Sequence, residues 1–108
     1  MPGTTIPRGN ILITLEFATT ITPVSVAANT TAEQSFTIPG LQVGDYINAA
    51  SPGAQTAGIL IANVRVSAAN TVAIAFANIT GGGLVPVSGL YGFVLGRPEN
   101  LPLPTNAT

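Results

Sequence analysis

The chain has no cysteine, no histidine, no lysine and no tryptophan. Without cysteine, neither a disulfide nor a thiolate metal site can hold the fold together, so packing and assembly must do it. Without histidine, the usual base that activates a serine or threonine is missing, and the lack of cysteine and lysine removes the other common nucleophiles. Charge is almost as scarce. Three arginines and four acids make up 6% of the 108 residues, where an ordinary soluble domain carries roughly 25%. A net charge of −1 cannot neutralise several phosphates at once, so nucleic acid is not expected as a partner.

The four acids, Glu16, Glu33, Asp45 and Glu99, never cluster at the spacings of a cation-binding loop, nor do they sit in a motif that would pair two carboxylates for glycoside hydrolysis. Exposed strand faces and turns are their ordinary settings, with Asp45 after Gly44 as turn chemistry. The sequence therefore predicts no catalytic residue, no metal and no cofactor, and a protein that is not an enzyme. Long hydrophobic runs are missing too. Residues 66–96 carry no charge, but Gly81, Gly82, Gly83, Pro86, Gly89 and Gly92 interrupt them, and a window of about 20 apolar residues never forms. The opening MPGTTIPRGN lacks the basic flank and apolar run of an export signal, which points to a chain made in the cytoplasm and to no membrane partner.

What is there is a chain 46% hydrophobic, whose remaining skin must be Thr, Ser, Asn, Gly and Ala. So weakly solvated a surface tends to be covered by other protein, and a homo-oligomer is the expectation. Apolar residues alternate rather than recurring every three or four positions, which predicts strands and no helix. Ile11, Ile13, Leu15 and Phe17 share one face of a first strand. A second is expected over 21–27, demoted to an edge by Pro23, and a third over 32–38, closed by a type II turn at Pro39 and Gly40.

Gly44 and Asp45 turn the chain into a strand at Tyr46, and 51–58 reads as loop. Residues 59–66 and 71–77 form a hairpin across Ser67, Ala68, Ala69 and Asn70, and 90–95 is the last strand. In the second arm of that hairpin Val72, Ile74 and Phe76 alternate with Ala73, Ala75 and Ala77, one bulky face and one flush methyl face. The fold class is thus all-β, an antiparallel β-sandwich or small barrel of about six to seven strands, over residues 11–97. Residues 1–10 and the Pro-rich 98–108 read as extended terminal arms.

Four features invite a functional reading. Gly81 to Gly83 lack the lysine and strand-to-helix setting of a phosphate loop and read as a turn. The glycosylation triplets at Asn29, Asn78 and Asn106 are what a chain rich in Asn and Thr produces by chance. Arg65, alone in an apolar strand, either faces outward or pairs with Glu16 or Asp45. The methyl face of Ala73, Ala75 and Ala77, with Ile6, Leu101 and Leu103 as apolar anchors in the arms, is the candidate interface: small side chains permit close approach, and Pro-rich arms lose little entropy on docking.

The run GDYINAASPGAQTAGILIANVRVSAANTVAIAFANIT, followed by GGGLVPVSGLYGFVLGRP, is similar to small tailed-bacteriophage virion proteins described as head decoration, cement or head-fibre proteins. The likeness covers about residues 40–98. It rests on Gly44-Asp45 entering a strand, the loop ending at Gly58, Arg65-Val66-Ser67-Ala68 before the hairpin, Asn78 with Thr80 after it, and a closing strand ending at Arg97. The resemblance implies a sandwich-like fold, a place on the capsid exterior, and the major capsid protein as partner. It also implies a homo-oligomer, with a trimer favoured because it suits the threefold positions of an icosahedral shell. The alternative is a receptor- or carbohydrate-binding domain of a fibre or tail, for which Tyr46 and Tyr91 are the available stacking aromatics.

Overall fold

The computed structural model describes residues 11–98, and every element in that range is a strand. In chain order they are β1 (Ile11–Ile21), β2 (Thr30–Thr37), β3 (Tyr46–Ala50), β4 (Ile59–Ala68), β5 (Thr71–Asn78) and β6 (Gly89–Pro98). They form two three-stranded antiparallel sheets, β1-β6-β3 and β2-β5-β4, packed as a sandwich. β1 pairs with β6, β2 with β5, and β3 runs alongside β4 where the two sheets meet. This nesting, first with last and second with second-last, is jelly-roll winding reduced to three pairs.

Period-2 patterning decides which faces meet. Val72, Ile74 and Phe76 of β5 turn inward and are fully buried, as are Tyr91, Phe93 and Leu95 of β6 from the other sheet. Phe17 of β1 stacks on Phe93 with ring centroids 5.3 Å apart. Burial of this cluster is the main term holding so small a chain together, since no disulfide contributes.

The connections gather at the two ends of the sandwich. One end holds the turn after β2, the hairpin tip between β4 and β5, the start of β1 and the end of β6. Gly40, at φ +97°, takes the third place of the type II turn expected after Pro39, and Leu41 N donates back to Ile38 O. Asn70, in the left-handed region at φ +60°, ties the hairpin tip to that turn: its carbonyl accepts from Ile38 N and its side-chain oxygen from Gly40 N at 2.8 Å. The opposite end holds 22–29, 51–58 and 79–88.

The strand expected over 21–27 does not form. β1 runs on to Ile21, and Pro23, with no N–H to donate, lies in a crossing segment whose single bridge joins Val26 to Leu84. Arg65 pairs with neither Glu16 nor Asp45. It faces outward and binds Glu33 through two hydrogen bonds of 2.8 Å. The register explains the choice: Glu33 opposes Ala75 on one side of β5, and Arg65 opposes Ala73 from the other, so the pair reaches over the central strand above its methyls.

Candidate interaction surfaces

Chemistry by carboxylates has little to work with in this arrangement. Glu33 is held by Arg65, and Asp45 by Arg97; Glu16 stands exposed on β1. Among the described residues no three His, Cys, Asp or Glu side chains come together as a metal site would require. Nor is there a helix long and apolar enough to cross a membrane.

Among the described residues, Asp45 is the acid held by the most hydrogen bonds. Arg97 Nε and Nη2 donate to its two oxygens at 2.9 Å, Gln42 N donates to Oδ2 at 3.0 Å, and Arg97 Nη2 also reaches Gly40 O at 2.9 Å. The carboxylate is 2% exposed and the guanidinium side chain 21%. Hydrogen bonding by Arg97 holds the Asp45 carboxyl below its ordinary range, burial opposes the shift, and the Gln42 amide adds to it. The clasp fixes residues 40–45 against the end of β6. Pro98, which the sequence assigns to an arm, closes that strand opposite Ile11.

At the opposite end the joints are neutral. Asn78 is 1% exposed and uses its whole hydrogen-bonding capacity: Nδ2 donates to Val26 O and Gly82 O at 3.0 and 2.9 Å, while Oδ1 accepts from Thr80 N and Thr80 Oγ1. The nitrogen that a glycan would occupy is thus engaged in holding loops. The glycine run is anchored through that Asn78 Nδ2 bond to Gly82 O, with Thr80 Oγ1, whose single proton goes to Asn78 Oδ1, 3.0 Å from the same carbonyl. Beside it, Tyr91 donates to Val87 O at 2.7 Å and accepts from Gln55 Nε2 at 3.0 Å, and Gln55 Oε1 accepts from Val87 N. Burial raises the Tyr91 hydroxyl pKa, with the Gln55 bond opposing it.

Three surfaces remain. The alanine face of β5 is the outer face of β2-β5-β4. Ala73 is buried and Ala75 and Ala77 half-buried, with the Arg65–Glu33 pair spanning the row, so within the chain these methyls face away from the other sheet. Ile6, Leu101 and Leu103 lie outside the described residues. The outer face of β1-β6-β3 forms a shallow trough along Ala18, Gly92 and Ala50, with Val94 and Asn48 on one side and exposed Leu90 beyond. Tyr46, 74% exposed, stands opposite Gly96 on this face, whereas Tyr91 is fully buried; of the two tyrosines only Tyr46 can meet a ligand.

The third surface is the open side of the sandwich, where β1 and β2 are not drawn together as β3 and β4 are. There Leu15, on the core-facing side of β1, is 48% exposed, and a groove of about 230 Å³ runs along Leu15, Phe17, Ile38, Pro39, Leu41 and Leu95. No motif in the sequence marks this side. Its signal lies in β1 itself, an eleven-residue strand with one charge and no proline. Compared with protein-family models, with characterised proteins and with solved structures, the chain matches none.

Proposed function

We propose that the chain is a non-enzymatic structural protein of a bacteriophage particle, a decoration or cement protein that docks on the major capsid protein at the shell exterior and stabilises it. The observation that carries the reading is the disposition of charge. Arg65 and Arg97 are each spent on an acid of the same chain, while Val43, Tyr46, Leu60, Ile79, Leu90 and Val94 stand exposed. Such a surface suits broad, weakly polar contact with protein rather than capture of a charged small molecule. The likeness of residues 40–98 to phage head proteins agrees with it, and so, by analogy of fold alone, does jelly-roll winding, which recurs in capsid domains. Purified virions should contain the protein in hundreds of copies, an order-of-magnitude figure for a symmetric decorated shell. Recovery only from the cytosol of infected cells would overturn the reading.

A second reading, a glycan-binding fibre or tail domain, draws on Tyr46, whose ring is exposed over Gly96 with Asn48 on the same face. Aromatic stacking beside an amide is how sugars are commonly held. Glycan-array binding that Tyr46→Ala abolishes, without loss of fold, would favour this reading over the first.

A further inference from the structure

Sheet edges carry rows of unpaired N–H and C=O groups, and proteins blunt them with short strands, bulges, charges or covering segments. Three of the four edges here show such devices. β3 is five residues long and lies against β4. β4 is broken by irregularities at Ile61/Asn63 and Val66/Ala68 and carries Arg65. β2 is eight residues long, and its Gln34 side chain holds the crossing segment against it, accepting from Val24 N at 2.9 Å and donating to Val24 O at 2.8 Å. β1 differs. It is eleven residues long, regular after an irregularity at its first residues, without proline, with Glu16 as its one charge. Among the described residues nothing pairs with its outer edge, and the apolar groove of Leu15, Phe17 and Ile38 opens beside it.

We infer that β1 is a self-pairing edge: two copies of this chain join β1 to β1 antiparallel about a twofold axis, extending β3-β6-β1 into a continuous six-stranded sheet. The occupant follows from the edges. A head-to-tail ring would need a second, different open edge, and β2, β3 and β4 do not offer one; an edge that meets its own copy closes as a dimer. Alternation requires the inward residues Leu15, Phe17 and Thr19 to match inward residues of the partner, so the register can shift only in steps that keep odd positions opposite odd ones.

Full overlap would set Glu16 against Glu16 of the other copy, and like charges directly opposite oppose pairing. The nearest register that avoids this and also leaves out the irregularity at Ile11/Ile13 centres on Phe17 against Phe17. It joins the two Phe17–Phe93 stacks into one aromatic cluster over the groove, and sets each Glu16 opposite Ala18 of the other copy.

This inference does not depend on where the protein resides, and its test is separate from the virion count. Sedimentation of the full chain at low ionic strength, across a concentration series, should show a monomer–dimer equilibrium. Ala18→Glu, an exposed change, places like charges opposite each other twice per dimer and should weaken association about tenfold; Ala18→Lys places opposite charges there and should tighten it by a similar factor. Circular dichroism and melting of dilute samples verify that both variants fold. β1 amides should gain hydrogen-exchange protection as concentration rises. A monomer up to about 1 mM, a trimer, or equal weakening by both substitutions would overturn the inference, as would β1 protection that arises only on added coat shells.

Discussion

The two ends of the sandwich solve the same problem, connections to be held over one core, two at one end and three at the other, with different chemistry. The end at β1's start uses ions: Arg97 clasps Asp45 and Gly40, and Asn70 pins the hairpin tip. The end at 22–29, 51–58 and 79–88 uses neutral amides and hydroxyls, with buried Asn78 and half-buried Gln55 each serving several backbone groups. The ion pair answers to pH through its carboxylate, whereas the buried, saturated amide of Asn78 does not and is costly to disturb. The lesson is that a chain with 6% charged residues commits Arg97 to structure at one end and relies on asparagine and glutamine at the other.

The largest effect should come from breaking the neutral end. Asn78→Ala strips partners from Val26 O, Gly82 O and the Thr80 hydroxyl in a site nearly closed to water, and should cost about 3 kcal/mol in denaturant unfolding. A loss below about 0.5 kcal/mol, within the range of an ordinary surface substitution, would show that water replaces the amide and that the two ends differ less than the geometry indicates.

A smaller effect, with a distinct signature, should come from the ionic end. The folded carboxyl of Asp45 lies below its unfolded value of about 3.9, so the clasp contributes fully above about pH 4 and is lost as pH falls through the folded value. Asp45→Asn should therefore lower stability by about 1 kcal/mol at neutral pH, with the gap to the parent closing in acid. Melting of both proteins from pH 7 to pH 2 measures it; a gap constant across that range would refute the clasp. The neutral end has no group titrating there. Its one ionisable member, Tyr91, has a raised pKa, so its effect is confined to strong alkali. Above about pH 10 the unfolded phenol ionises while the buried one resists, and stability falls until the folded value is passed.

The smallest effect should come from Glu33→Gln. Arg65 and Glu33 are both well exposed, and such pairs contribute little. Its melting temperature should match the parent's at physiological salt, and a drop as large as that of Asp45→Asn would mean that the pair over the alanines is more than a surface feature.

How much of this was legible beforehand differs by element. The hairpin of β4 and β5 was clear, because a bulky face alternating with methyls and an Asn able to take positive φ are local signals. The turns at Gly40 and Gly44 were clear for the same reason. Local pattern places a new strand at Ile21, yet pairing with β6 carries β1 on to Ile21. The partner of Arg65 was beyond reach, since Glu33 lies 32 positions away and only the register of two strands on β5 brings them together.

Composition and period by themselves determined that the chain is an antiparallel β-protein held by packing, with alanines on one face of its central hairpin strand. Those facts follow from side-chain volume, alternation and turn propensity, which act within a few residues. Tertiary structure alone decided the nested winding, the pairing of Arg97 with Asp45, the burial of Asn78 and Tyr91, and a β1 edge that no described residue pairs. Each depends on contacts across long stretches of chain, where which strands neighbour one another, rather than any local preference, fixes what a side chain meets.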